Sequence, residues 1–278
     1  MLSQLGDEAK LLAGGQSLIP LMKLRFANPA HLVDLNFVPD TSFIKEANGA
    51  VTFGALTRHA EIENSNVASK IPILHDCAAG IADVQIRNRG TIGGSLAEAD
   101  PSGDWATVLM ILPTTITCLR AGGTRTVPLS EFIKDAYTTD LAHDELISEV
   151  RVEVPAKGSG GCYLAFKRSA PVYPSASVAV QLGMEGDTCK HASIFLGCVG
   201  LTPVRATDAE SALRSKKLDE KAISTAADAA RSAADPQPDM RGSVDYKRNL
   251  VAGLLKRAVN IALRRARGEQ VEAGHIYA

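Results

Sequence analysis

Little in this sequence carries an excess of charge. Its 278 residues hold 30 Lys and Arg against 31 Asp and Glu, a formal net charge of −1. So even a balance sets up no field to gather nucleic acid or an anionic membrane, and no nucleic-acid partner is expected. The most basic run, "LKRAVNIALRRARG", reads as the solvated face of a helix near its C-terminus, where cations are favoured. No apolar run approaches the ~18 residues that would span a bilayer, so a membrane-spanning chain is not expected. The opening "MLSQLGDEAKLL" has neither a basic head nor a small-residue cleavage site, so it does not read as a signal peptide, and a cytoplasmic location is expected. The cysteines Cys77, Cys118, Cys162, Cys189 and Cys198 form no C-x-x-C pair. A zinc or iron–sulfur site within the chain is therefore not expected; in a reducing compartment these are mostly buried free thiols.

Catalytic signatures are missing as well. There is no G-x-G-x-x-G fingerprint, no G-x-x-x-x-G-K-[ST] loop, and no H-E-x-x-H, G-x-S-x-G or D-x-D cluster. The six histidines (His31, His59, His75, His143, His191, His275) are scattered. Only His59, beside Thr57 and Arg58, falls near a suspected binding region, and it is not assigned as a base. The chain reads as built to hold a cofactor, with little chemistry of its own.

What the sequence does have is a 45% hydrophobic, 22% charged composition, enough for a real core in one large domain or two modest ones. Its start reads strand ("KLLA"), glycine turn, helix (Leu18 to Arg25), strand ("HLVDL"). Ser17 is the expected N-cap, and Pro20 falls in the first turn, where a missing N–H costs little. "SFIKEANGAVTFGAL" is a hairpin turning at Asn48-Gly49. Thr57 is expected to cap the helix "RHAEIENS", and a further helix is expected in "IPILHDCAAGIAD". "RNRGTIGGSLAEADPSGDWATVLMIL" reads as a glycine-rich loop, an acidic loop and an apolar helix. A second hairpin, "TTITCLRAGGTRTVPL", and the strand "LISEVRVEV" lead to "PAKGSGG" (residues 155–161), a domain boundary. Beyond it come three strands, then helices. Val251, Leu254, Leu255, Ala258 and Ala262 form a stripe at spacing three and four, a packing face.

Two stretches carry the functional argument. N–H groups at a helix start lack intrahelical partners and, with the helix dipole, attract phosphate. Glycine lets a ligand approach the backbone. A single Gly-Gly turn is often no more than a turn. Two of them, Gly14-Gly15 and Gly93-Gly94, suggest lobes that clamp one pyrophosphate. Asp104 either accepts from a ribose hydroxyl or adenine amine, or caps the helix starting at Trp105.

"AGGQSLIPLMKLR" and "IRNRGTIGGSLAEADPSGD" closely resemble the two flavin motifs of the FAD-binding medium subunit of molybdenum hydroxylases, the group of aerobic carbon monoxide dehydrogenase and the xanthine dehydrogenase flavin domain. The likeness continues through "LTRH", "ELISEVRVEVP", "FKR" and "DYKRNLVAGLLKRA", nearly the whole chain. It implies an α+β fold: a two-lobed FAD-binding domain of the vanillyl-alcohol-oxidase (PCMH) type over residues 1–157, with lobes of about 1–50 and 51–157, then an α+β C-terminal domain of antiparallel sheet and helices over 158–278. It implies that Ala13, Gly14, Gly15, Gln16 and Ser17, with Thr91, Ile92, Gly93, Gly94 and Ser95, contact the FAD pyrophosphate. Asp104 would bind the ribityl or ribose side, and Ile81 would lie by the adenine, where some relatives have a larger residue. Lys167 would sit near the flavin ring and Tyr173 would cover one ring face, although its loop has two prolines and departs from the commoner pattern. Leu12, Leu18 and Ile147 complete the cofactor-binding set; no catalytic and no metal residue is implied.

The resemblance also implies partners: a large subunit with a molybdenum cofactor, where the substrate is oxidised, and a small subunit with two [2Fe–2S] clusters, assembled as a dimer of heterotrimers that serves an external acceptor. Members usually carry an extra strand and helix before "GDEAKLL", so this chain is expected to begin inside that helix, as a misassigned or truncated start. Two other readings use the same residues. A self-contained flavin oxidase or dehydrogenase would need its own pocket and base, and a non-catalytic nucleotide-binding module would hold an anion without a flavin.

Overall fold

The computed structural model describes residues 2–274, 276 and 277; His275 lies outside the described residues. A short helix α1 (Leu2–Leu5) precedes β1 (Ala9–Leu12), α2 (Leu18–Lys23) and β2 (His31–Asp34). β1 and β2 pair in parallel, Leu12 opposite Asp34. The expected strand, glycine turn, helix and strand are all present. Ser17, however, lies in helical backbone (φ −103°, ψ −52°) with no side-chain cap.

A five-stranded antiparallel sheet follows: β3 (Ile44–Ala47), β4 (Ala50–Gly54), β5 (Thr114–Arg120), β6 (Gly123–Pro128) and β9 (Leu146–Glu153), in the order β3-β4-β9-β5-β6. Asn48 and Gly49 both have positive φ (50° and 72°), as a two-residue hairpin turn requires. β3 and β4 are one hairpin of this sheet, so a lobe limit at residue 50 cuts a ladder; the small parallel pair ends at Asp34. Between β4 and β5 the chain runs through α3 (His59–Glu63), α4 (Pro72–Gly80), α5 (Val84–Arg87), α6 (Ile92–Glu98) and α7 (Asp104–Leu109); α8 (Leu129–Phe132) and the short pair β7 (Ile133–Asp135) and β8 (Thr138–Thr139) lead into β9.

The second sheet is built on β10 (Ser159–Lys167), β11 (Ala176–Glu185) and β12 (Thr188–Gly197), with β13 (Val204–Arg205), β14 (Lys216–Lys217) and β15 (Ile276–Tyr277) at its margins. Its helices are α9 (Thr207–Leu213), α10 (Glu220–Ala233) and α11 (Val244–Ala266). The alternation of a strand decides what each face covers. Cys162 and Leu164 join the core beneath α9–α11, while Tyr163 and Ala165 join the core of the first sheet with Leu74 of α4 and Trp105 of α7. The five stripe residues of α11 are all buried, as its spacing predicts. Arg265 of α11 forms an almost fully buried ion pair with Asp76 of α4 (2.6 and 2.9 Å), joining the two cores across the boundary segment.

Candidate functional site

The two glycine stretches meet. Gly14 packs so closely on the second stretch that a Cβ there would lie 2.2 Å from the Arg89 carbonyl oxygen and 2.8 Å from the Gly90 Cα. A Cβ on Gly94 would stand 3.7 Å from the Cβ of Ala13. Gly15 has φ +73°, a conformation that favours glycine.

Their amides have different fates. Among the described residues, no hydrogen bond from the amides of Gly14, Gly15, Gln16, Ser17 or Leu18 reaches the rest of the chain. Among the described residues, Gln16 donates only from its side chain, to the Gly14 carbonyl at 3.4 Å. Leu12, at the end of β1, uses its carbonyl to hold Leu35 (2.9 Å). The first stretch is thus a row of unpaired donors at the start of α2, the chemistry that receives a phosphate.

The second stretch differs from its sequence reading. Gly93 and Gly94 belong to the first turn of α6, and Thr91 caps that turn by accepting from the Gly94 amide (3.1 Å). The Ile92 amide bonds to the Thr57 carbonyl (3.1 Å), that of Gly93 to Ala55 (2.9 Å) and that of Ser95 to Thr91 (3.0 Å). The donors expected for an anion are already used, so this end of α6 contributes its dipole and its closeness rather than free N–H groups. Gly93 is needed because a Cβ would lie 2.6 Å from that of Ala55. Ile147 is buried in the core, next to Ser148, whose carbonyl holds the Ala55 amide (2.9 Å).

From Thr91 to Ala99, α6 runs about 12 Å at 1.5 Å per residue, and a second group of side chains lies past it. There Asp104, 6% exposed, accepts a 2.6 Å hydrogen bond from the Tyr163 hydroxyl. Burial and the adjacent Asp104 carboxylate push the Tyr163 hydroxyl well above its ordinary pKa, so it stays a donor. Asp104 is not a cap: it is the first residue of α7, whose N-cap is Gly103. Lys167 is buried, and its Nζ donates to the Gly80 carbonyl. Ile81 follows Gly80 directly, so Ile81 and Lys167, expected at opposite ends of a dinucleotide, stand together. Tyr173 sits on the loop after β10, held down by the Ser175 amide on the Phe166 carbonyl (2.9 Å). Although its side chain is half-exposed, partial desolvation of its hydroxyl and the neighbouring Asp100 carboxylate raise its pKa; Tyr137, reaching the same carboxylate, is raised by the same two causes.

His59 is spent on structure. It is buried and accepts from the Trp105 indole at 3.0 Å. Burial first, then Arg58 and Arg87, hold its pKa down at about 3, so it is neutral and Nε2 carries its proton. Thr57 does not cap α3 either; its hydroxyl exchanges hydrogen bonds with the Phe43 backbone (2.9 and 3.2 Å), and Arg58 takes the N-cap position with its amide on Glu61 (2.6 Å). Asn36, Tyr137 and Tyr163 went unnoticed in the sequence because none belongs to a motif, and Asp100 because nothing in its motif marks it apart from its neighbours.

A row of unpaired amides on a glycine turn, with a second glycine stretch pressed against it, defines a protein built to receive a phosphate-bearing ligand, in two joined cores. The model for the FAD binding domain in molybdopterin dehydrogenase matches residues 1–156, and that for the CO dehydrogenase flavoprotein C-terminal domain matches residues 161–262. The chain is 39% identical over 263 residues to the carbon monoxide dehydrogenase medium chain of Hydrogenophaga pseudoflava, covering 94% of this chain and 92% of that one. It is 38% identical over 278 residues to the 6-hydroxypseudooxynicotine dehydrogenase complex subunit alpha of Paenarthrobacter nicotinovorans, covering 99% and 94%. The solved carbon monoxide dehydrogenase of Hydrogenophaga pseudoflava superposes with a TM-score of 0.91 at 40% identity, over 95% of this chain and 92% of that one. The chain belongs to the FAD-binding medium-subunit family of the molybdenum hydroxylases, a family of oxidoreductase subunits.

Proposed function

We propose that this chain is the electron-transfer subunit of a heterotrimeric molybdenum hydroxylase, standing between two [2Fe–2S] clusters of a small subunit and an external acceptor. The substrate would be oxidised at a molybdenum cofactor in a large subunit, and the assembly would be a dimer of heterotrimers in the cytoplasm. No helix among the described residues is long and apolar enough to cross a membrane. When bound, FAD supplies the conversion between single-electron and paired-electron transfer.

The chain's own residues bind and orient. The amides from Gly14 to Leu18 receive the pyrophosphate, with Leu12 and Ala13 shaping the turn. Thr91, Ile92, Gly93, Gly94 and Ser95 close the opposite wall, supported from below by Ile147. At the far end of α6, Asp104 stays oriented by Tyr163, Lys167 places a cation, and Tyr173 covers the ring; Ile81 lies on this side. We divide the chain into a FAD domain of residues 1–157 and a C-terminal domain of 158–278. The row of unpaired amides opposite the second glycine stretch carries the reading. Relatives named for carbon monoxide and for 6-hydroxypseudooxynicotine share 39% and 38% identity with the chain, which supports a subunit indifferent to the substrate oxidised elsewhere.

The test is to tag the chain in its native host and take the absorbance spectrum and metal content of what copurifies. Flavin with molybdenum and iron on two further subunits is expected. A lone yellow chain that oxidises a donor unaided would make it a self-contained flavoenzyme, and a colourless one a nucleotide-binding module.

A further inference from the structure

The two glycine stretches are joined by side chains as well as by backbone packing. Arg58 is carried on the second stretch: its backbone is bridged to Thr91, next to the α6 cap. Its side chain crosses the seam. One guanidinium nitrogen donates to the Arg89 carbonyl (2.5 Å) and another to Asn36 Oδ1 (2.5 Å). Asn36 lies just past β2, in the first lobe. Its Nδ2 donates to the Ala13 carbonyl (2.9 Å) and to Asp34 Oδ1 (2.5 Å). The Asp34 carboxylate also accepts from the Asn36 amide (2.9 Å).

The chemistry of this chain of bonds is one-way. The Asn36 nitrogen faces two acceptors and its oxygen faces a guanidinium, so the amide has a single satisfied orientation. Arg58 uses two prongs of a planar fork on two acceptors, which a lysine cannot match. Glu61 and Asp34 are the carboxylates that face the guanidinium, and Arg89 is the cation beside it. The Ala13 carbonyl, at one end of the chain of bonds, belongs to the peptide that carries the first unpaired amide, that of Gly14; the Arg89 carbonyl, at the other end, is the atom against which Gly14 packs.

We infer that Arg58 and Asn36 form a latch between the lobes, positioning residues that set the width of the pyrophosphate cradle. The inference rests on the flavin reading above. The latch fixes where the amides from Gly14 to Leu18 point before the cofactor arrives, so the ordering of the two lobes is not charged to binding. Neither residue lies at the ring end, so the latch governs how tightly the diphosphate is held and leaves the flavin's electronic surroundings alone.

The test uses the native complex with the full chain carrying Arg58→Lys, Asn36→Asp, or both. Asn36→Asp keeps the shape but sets a carboxylate oxygen against Asp34 and the Ala13 carbonyl. FAD loss on dilution and competition by ADP, which carries the diphosphate without the flavin, are measured beside the visible spectrum of the flavin still bound. Each single variant is expected to weaken FAD and ADP alike by at least about tenfold, a loss typical of hydrogen bonds to a charged group. The double variant should be no worse than the weaker single one, because both break one device. The bound flavin should keep its spectrum. FAD and ADP affinities within about twofold of wild type, or losses that multiply in the double variant, would overturn the latch. A changed spectrum with ADP binding intact would move the role to the ring end and also overturn it. A wild-type complex with no flavin would sink the flavin reading itself, and the latch with it.

Discussion

Gly14→Ala is the change that most directly tests the closed seam. The added Cβ would lie 2.2 Å from the Arg89 carbonyl oxygen, 2.8 Å from its carbon and 2.8 Å from the Gly90 Cα. All three are main-chain atoms, so no side chain can swing aside. A carbon and a carbonyl oxygen settle at roughly 3.3–3.6 Å, so the seam must open by about 1 Å. That opening takes the 2.5 Å contact from Arg58 to Asn36, the one that crosses the seam, close to the limit of a hydrogen bond. Hydrogen bonds to a charged group contribute about 1.5–3 kcal/mol each. Water reaches this half-exposed seam and replaces part of that, so FAD affinity should fall about tenfold to a hundredfold. The assay is a flavin fluorescence titration of the flavin-stripped complex, with thermal unfolding alongside. Gly49→Ala is the control. It has φ +72° but nothing within 4 Å of a new Cβ, so it should cost local stability of about 1 kcal/mol and leave FAD binding alone. If Gly14→Ala bound FAD as tightly as wild type, the two stretches would not need their close approach, and the cradle argument would be wrong.

Three other outcomes follow from the same geometry. Asp104→Ala should release FAD more readily, with the fold intact by circular dichroism, while Tyr163→Phe should reproduce a smaller part of that loss; normal FAD retention in both would leave their 2.6 Å bond a packing detail. Tyr173→Ala should shift the flavin spectrum or reduction potential, and identical values would remove Tyr173 from the ring. His59, neutral with a folded pKa of about 3 against an ordinary 6.5, binds fewer protons folded than unfolded between those values, so its contribution is complete above pH 6.5 and is lost as pH falls toward 3. Urea unfolding across that window should show a slope up to about 1.4 kcal/mol per pH unit steeper in wild type than in His59→Gln, and equal slopes would mean that His59 titrates normally.

Elements with strong local signals were legible in the sequence. The Asn48-Gly49 hairpin, the parallel pair around the first glycine turn, the strands after residue 158 and the buried stripe of α11 all stand where spacing and turn chemistry put them. The caps were not. Ser17, Thr57 and Asp104 each precede or begin a helix, and each has the right chemistry for a cap, yet none acts as one. Thr57 is drawn to the Phe43 backbone and Asp104 to the Tyr163 hydroxyl, while Ser17 lies in helical backbone and caps no amide of α2.

The sequence by itself determined which backbone is bare enough to approach a phosphate, because glycine content and position are local properties, and its two motifs together named the family. Tertiary structure alone decided which of those amides are free. The amides of Ile92 and Gly93 are consumed by Thr57 and Ala55, nearly forty residues earlier in the chain, whereas those from Gly14 to Leu18 are left open. It also decided that Arg58 and Asn36, neither of them in a glycine motif, span the seam between the lobes. Hydrogen bonds between distant segments depend on how the lobes dock, and no spacing within either segment encodes that distance.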